Sequence, residues 1–427
     1  MQGDHVVVRQ LNADRRRHSY IVGKTGSGKS TLMQRMILQD IQNGEGVCVV
    51  DPHGDLIDEI LERIPEHRRD DVVLFDAADY DHPVGLNLLQ HENEMQRHMI
   101  TNEFIGMLIH MYDPHNQGIT GPIFQDSVRH AMLTAMEFEG ATLVDVVRIL
   151  TDFSYASKLS DHVQDPVVKN YWKKQMANTS SNHRSEALNY IVSKFSRFVG
   201  DRRLRQIIGQ SESSIDFRSV MDNRKILLAS LSKGKVGPQN AQFLGMLFIN
   251  SFLFAALSRA SMEPDKRSDV YLYVDEFQNF ATELFASILS EGRKYGVAAI
   301  CANQYLNQIP SGVRDAVFGN VGTLISFRMG PADALNLVSE LQPGVDVGEL
   351  INLPQYTTFI KMLQNGDTTQ TFTMHTLPES LLPDAAAASQ ARALSRHKYG
   401  KAASVVNREI DRRMSTDEVP PLRILSE

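Results

Sequence analysis

The run Gly23-Lys24-Thr25-Gly26-Ser27-Gly28-Lys29-Ser30 constrains this chain more than any other feature. It matches G-x-x-x-x-G-K-[ST] and lies between a short apolar approach, His18 to Val22, and a stretch of helical spacing from Lys29 to about Gln42. That is the strand-before, helix-after context the pattern requires. Glycines let the backbone curl until successive N–H groups converge on phosphate oxygens, and the helix N-terminus adds its positive dipole end. Lys29 is then expected to reach the β- and γ-phosphates and the Ser30 hydroxyl to ligate Mg²⁺, with Thr31 next in the helix. A nucleotide site follows from this; what the nucleotide drives does not.

The surroundings of the loop read as an α/β fold. Val47 to Val50 is an unbroken apolar run ending in Asp51-Pro52, and Val72 to Phe75 is another; Leu56 to Ile64, between them, has helical spacing. Buried strands joined by helices of this length imply right-handed crossovers and a mostly parallel sheet. From about Glu92 to Ser219 only helical periods occur, so an all-α insertion is expected. Strands resume at Lys225 to Ser230, Val270 to Val274, Val297 to Ala302, Thr323 to Phe327 and Thr357 to Leu363. Asn365-Gly366-Asp367 then reads as a hairpin turn into Thr369 to Met374. The expected division is residues 1–91 and 220–382 for the two parts of a nucleotide-binding domain and 92–219 for the insertion. Residues 383–427 are left for a basic C-terminal helix, to about Met414, and a polar tail. A further short strand is expected over His5 to Val8.

Val270 to Val274 ends in Asp275-Glu276, which puts two carboxylates at the C-terminal edge of the sheet, where the phosphate loop also lies. Asp275 would hold Mg²⁺, directly or through water, and Glu276 would orient and deprotonate an attacking water. Such a pair distinguishes a nucleotide hydrolase from a passive switch. The next strand ends in Asn303-Gln304; Gln304 can contact a γ-phosphate or water there, or be a plain turn amide. Arg293-Lys294 precedes that strand and Arg328 ends the following one. An arginine supplied by a neighbouring subunit stabilises charge on a transferring phosphoryl group, and either arginine is also an ordinary surface residue type.

In this order, Gly23 to Ser30, Asp51-Pro52-His53-Gly54-Asp55, Val274-Asp275-Glu276, Glu291 to Gly296 and Asn303-Gln304 resemble the FtsK/HerA superfamily of ring-forming DNA-pumping ATPases. The long helical insertion, Gly121-Pro122-Ile123-Phe124 and Ile226 to Gly234 make the chain similar, more narrowly, to the coupling proteins of conjugative type IV secretion. The resemblance runs to about Leu382. It implies a RecA-like P-loop motor, a homo-oligomer that is a hexamer, ATP and Mg²⁺ as cofactors, and sites at subunit interfaces. It also implies Gln304 as the strand-end sensor, Arg293 as the leading trans-acting arginine, Arg328 as the second, and DNA, a relaxase or secretion-channel proteins as partners. Coupling proteins usually carry transmembrane helices ahead of the motor, whereas here the loop begins at Gly23.

Composition bears on partners and place. The chain has 427 residues, a net charge of −7 and two cysteines, Cys48 and Cys301, so neither a disulfide framework nor a Cys-rich metal site is expected, and a reducing cytosol suits it. Val236 to Ser258 carries no charge but is broken by Asn250 and Ser251, which reads as a buried helix and no membrane segment. The expected place is the cytoplasm, with the inner face of the cell membrane open to it through a missing segment or a partner. Net negative charge argues against a generally basic nucleic-acid binder, yet charge is uneven. Lys169 to Arg205 holds nine basic residues against two acidic, and Ala385 to Met414 seven against two. Lys173, Lys174, Lys194, Arg197, Arg202 and Arg203, interleaved with Tyr171, Trp172, Tyr190, Phe195 and Phe198, are candidate DNA contacts, or a solvated face over core aromatics. Lys233 and Lys235, beside Gly234 and Gly237, are candidates for a mobile pore loop. Three functions stay open: an ATP-driven DNA translocase, an assembly ATPase energising protein export, and a nucleotide-gated scaffold that recruits cargo.

Overall fold

The computed structural model describes residues 7–114, 117–416 and 418–423, so the strand expected over residues 5–8 falls partly outside them. The chain divides into two compact units, Met1–Ala78 with Phe217–Ser395, and Asp79–Asp216 with Arg396–Glu427.

The first unit is built on one ten-stranded sheet: β1 (Ser19–Val22), β2 (Gly46–Asp51), β3 (Val72–Asp76), β4 (Ile226–Ser230), β5 (Val270–Val274), β6 (Val297–Asn303), β7 (Thr323–Ser326), β8 (Thr357–Gln364), β9 (Asp367–Thr368) and β10 (Phe372–His375). Their spatial order is β10-β8-β7-β1-β6-β5-β2-β4-β3, with β9 paired to β8. The seven strands from β3 to β7 run parallel. β8 runs antiparallel to β7, β9 and β10. Asn365 and Gly366 join β8 to β9 with φ of 55° and 85°, as a two-residue hairpin of the Asn-Gly kind requires.

The parallel strands are buried on both faces, which is why they read as continuous apolar runs. On one face, Ile21, Val47, Val49, Tyr271, Tyr273 and Ile300 form a core with Met33 and Ile37 of the helix Lys29–Gln42 and Ile57 and Ile60 of the helix Asp55–Leu61. On the other, Phe75 and Phe217 pack on Phe248 of the helix Pro238–Ser258. Within the stretch 238–261 the chain has one helix long and apolar enough to cross a bilayer, and two thirds of its most apolar window is buried.

The second unit is helical, and among its described residues only isolated bridges, Val84 with Gly400 and Phe138 with Leu422, represent β-structure. Its boundaries lie at 78/79 and 216/217 rather than at 91/92 and 219/220. The single C-terminal helix expected from Pro383 is two, Ala385–Tyr399 and Ala403–Ser415. The chain breaks between them because the backbone around Gly400 pairs elsewhere: Lys401 N–H donates to the Pro83 carbonyl and Ala403 N–H to Asp81. Ile410 and Arg413 of the second helix are tied into the helical core, Arg413 to the Asp145 carboxylate at 2.9 Å.

Most of the aromatics between Lys169 and Arg205 belong to that core. Trp172 is fully buried and donates Nε1–H to Thr134 Oγ1 at 2.8 Å, and Tyr171, stacked on His130 at 3.9 Å, donates to Ser127. Phe195 and Phe198 are buried too; Tyr190 alone of the five stands exposed. The interleaving is helical periodicity, with aromatics inward and basic groups outward.

Candidate functional site

Register decides what the sheet edge collects. Val22 pairs with Asn303, Val274 with Cys301 and Val50 with Val274, so β1, β6, β5 and β2 end nearly level. The phosphate loop, Gln304, Asp275-Glu276 and Asp51 therefore leave the sheet side by side, with Gln304 between the loop and the acidic pair.

The loop is fixed by its glycines and by its neighbours. Gly26 and Gly28 have φ of 72° and 116°, a region L side chains avoid. A Cβ on Gly28 would also lie 2.8 Å from the Tyr356 ring and 3.1 Å from that of Phe327. Ser27 caps the curve by donating its hydroxyl to the Lys24 carbonyl, and Lys24 N–H donates to the carbonyl of Arg328 at 2.8 Å. Lys29 is buried; its ammonium donates to the Gly23 and Lys24 carbonyls at 2.6 and 3.2 Å. Burial lowers its pKa, opposed by the charges of Asp275 and Glu276. Ser30 is exposed and Thr31 half-buried on the first turn of the helix.

A hydrogen-bonded relay joins this loop to the acidic pair. Thr25 Oγ1 donates to Gln304 Oε1 at 2.9 Å, Gln304 Nε2 donates to Glu276 Oε1 at 2.6 Å, and Gln278 Nε2 donates to Glu276 Oε2 at 2.5 Å. Glu276 itself has φ 48°, a left-handed conformation. Next to Gln304, the buried Asn303 is pinned by Tyr20 O–H and by its own bond to the Tyr305 carbonyl.

Asp275 is buried, and its pKa is pushed up to about 6 by that burial and by the charges of Asp51 and Glu276. Asp51 accepts backbone N–H bonds from His53, Gly54 and Leu56 at 2.8–2.9 Å, capping the helix Asp55–Leu61. Its pKa too is raised by burial, against those bonds. Among the described residues, no group of three or more His, Cys, Asp or Glu side chains is arranged to hold a metal alone. The donor set, an exposed hydroxyl on Ser30 and a carboxylate at Asp275, fits a hard cation that takes its other ligands from phosphate and water.

The two arginines part company. Arg328 is exposed beside its own chain's loop, through the Lys24 bond. Arg293 lies in the turn Gly292–Tyr295 before β6, hence at the opposite edge, about 23 Å away at the rise of a strand. It is exposed on a cleft of about 410 Å³ shared with Arg16, Arg267, Asp269, Glu291 and Lys294. Lys233 and Lys235, expected in a loop, stand on a short helical turn, Lys233–Val236, whose first N–H donates to the Pro52 carbonyl.

Of the candidate DNA contacts, Lys174, Arg197, Arg202 and Arg203 are exposed. Lys173 pairs with Asp161 at 2.8 Å, Lys194 lies over the rings of Tyr112 and Tyr190, and Arg203 lies over Tyr80. Gln278, Gln355 and Tyr356 were not legible as site residues. Asp51 was, in principle, because it ends its strand as Asp275 does.

A parallel sheet with a phosphate loop, an acidic strand and a polar strand between them defines the P-loop nucleotide-hydrolase class of fold. More narrowly, residues 5–233 match the family Helicase HerA, central domain, and the chain belongs to it. It is 24% identical over 357 residues to the type 4 coupling protein DotL of Legionella pneumophila, a match spanning 69% of this chain and 44% of DotL. Less than half of that relative's length is thus represented. In fold, the chain matches the bacterial conjugative coupling protein TrwBdeltaN70 with a TM-score of 0.65 at 15% identity, over 88% of this chain and 89% of that solved chain. TrwB has also been seen in complex with ADP and Mg²⁺. VirB4 of Thermoanaerobacter pseudethanolicus matches with a TM-score of 0.55 at 13% identity, over 85% of this chain and 89% of VirB4.

Proposed function

We propose that this chain is the ATP-hydrolysing motor of a type IV secretion or conjugation system, ring-forming and acting on DNA in the manner of a coupling protein. The observation that carries the reading is the relay Thr25–Gln304–Glu276, which couples the phosphate loop to a strand-end carboxylate through one amide. In this reading the loop amides and Lys29 hold the β- and γ-phosphates, and Ser30 and Asp275 hold Mg²⁺. The bound Mg²⁺ neutralises charge on the phosphate oxygens. Glu276 takes the proton of an attacking water: two of its lone-pair sites are used by Gln304 and Gln278, and others remain. Gln304 senses the terminal phosphate and passes its loss to Glu276.

Arg293, which stands at the sheet edge away from its own loop, serves the site of a neighbouring subunit, and a hexamer supplies that neighbour. Arg328, whose carbonyl accepts the Lys24 N–H, acts on its own chain's site. Lys174, Arg197, Arg202 and Arg203, with Lys173, Lys194, Lys233 and Lys235, neutralise DNA phosphates more than they present rings for stacking, since four of the five interleaved aromatics are core. Energising protein export is the second reading; the fold likeness to VirB4 and the burial of Tyr171, Trp172, Phe195 and Phe198 among the second unit's basic residues favour it.

The site itself is tested with Glu276→Gln. ATP should bind as in the wild-type chain while turnover falls by about 10²–10⁴-fold, the contribution of a positioned base. Unchanged turnover would remove Glu276 from the chemistry.

A further inference from the structure

Glu276 and Gln304 account for only one end of a bound nucleotide. In the order β8-β7-β1-β6-β5, the loop after β1 has Gln304 and Glu276 on one side and the entry to β8 on the other. A nucleotide whose terminal phosphate faces Glu276 therefore sends its base towards β7 and β8. Tyr356 stands there, immediately before β8 and against Gly28.

Three properties set Tyr356 apart. It is 44% exposed, at the point where the exposed Pro354-Gln355 turn gives way to the buried start of β8. Its backbone is left-handed, φ 63°, a genuine outlier for a bulky residue and a kind that gathers at functional sites. And it is tied to the phosphate loop: Tyr356 N–H donates to the Ser27 carbonyl at 2.9 Å, and the neighbouring Gln355 amide donates to the Gly26 carbonyl at 3.0 Å. From behind, the Tyr356 carbonyl accepts from Thr376 N–H at 2.8 Å and from Thr376 Oγ1 at 3.2 Å. A left-handed backbone thus holds the half-exposed ring at a fixed place relative to the loop. Tyr305, 41% exposed, is the other open ring nearby, but it follows Gln304 and lies on the terminal-phosphate side.

We propose that Tyr356 is the platform on which the base of the bound nucleotide stacks. The inference rests on the reading that Gly23 to Ser30 hold nucleotide phosphates. Because stacking uses the π-face that every base has, the platform serves adenine and guanine alike.

The test compares ATP, GTP and inorganic tripolyphosphate binding to the full chain with Mg²⁺ by titration calorimetry. Tyr356→Asn removes the ring but suits a left-handed backbone; Tyr356→Phe keeps the ring. The Asn variant should bind both nucleotides roughly tenfold more weakly and tripolyphosphate unchanged, while the Phe variant matches wild type. Equal weakening of tripolyphosphate would overturn the inference, because the ring would then only shape the loop. Wild-type nucleotide binding by the Asn variant would overturn it too, leaving the phosphate site standing. Failure of the wild-type chain to bind either ATP or tripolyphosphate would overturn both.

Discussion

Three carboxylates, Asp51, Asp275 and Glu276, crowd one edge of the sheet with a single buried ammonium, Lys29, facing them. Burial disfavours the charges of Asp51, Asp275 and Lys29, and the proposed cation and phosphates would relieve both sides together. Histidines away from the site give a cleaner pH response. His18 is buried where the chain enters β1, its Nδ1 accepting Ala299 N–H at 2.9 Å, and burial lowers its pKa to about 4; His91 in the second unit is lowered to about 4 by the same cause. The unfolded imidazole binds a proton near pH 6.5, the folded one not until about 4, so the unfolded chain gains protons first as the pH falls. Stability is therefore full above about pH 6.5 and is lost between about 6.5 and 4, by about 2–3 kcal/mol per histidine. Urea denaturation across that range should show the loss in the first unit, and His18→Asn, which keeps an acceptor and tolerates the left-handed φ of 57° at that position, should flatten it. An unaltered acid slope in that variant would assign the loss elsewhere.

At the scale of elements, the helix Pro238–Ser258 supports the acidic strand from behind. A Cβ on Gly245 would collide with the Phe280 ring and lie 2.7 Å from Leu231 Cδ1, the two residues that follow the acidic pair and β4. Gly245→Ala should cost about 1–3 kcal/mol by overpacking, read as a lower urea midpoint, with ATP turnover reduced through the displaced Phe280 segment. A variant as stable as wild type would mean the helix gives way freely. Elements of this kind were legible because burial on both faces writes itself as unbroken apolar runs: β5 is as expected to the residue, Val270 to Val274, and the helix from Lys29 ends close to where it is expected, at Gln42. The loop and acidic pair were legible because their chemistry is local in sequence. Gln278, Gln355 and Tyr356 were not, since nothing near them in sequence states that β8 enters beside Gly28. The break in the C-terminal helix at Gly400 has no local signal in sequence because it depends on pairing with residues 81–84. The basic and aromatic residues around Trp172 showed the right periodicity but not which face was core.

For the whole molecule, net charge matters less than its placement. Lys174, Arg197, Arg202 and Arg203 stand exposed on the helical unit, and Arg293 is displayed at the sheet edge opposite its own nucleotide site. If sites are completed across subunits, mixing Arg293→Ala with Glu276→Gln subunits should recover part of the ATPase activity that each lacks alone, as a function of ratio; no recovery at any ratio would make Arg293 an ordinary surface residue. The claim that the motor works on DNA is tested most directly by steady-state ATP turnover with and without single- and double-stranded DNA, at low salt. The account predicts stimulation by one or both, declining as salt displaces the phosphate contacts. Turnover that neither form of DNA raises, even at low salt, would contradict it.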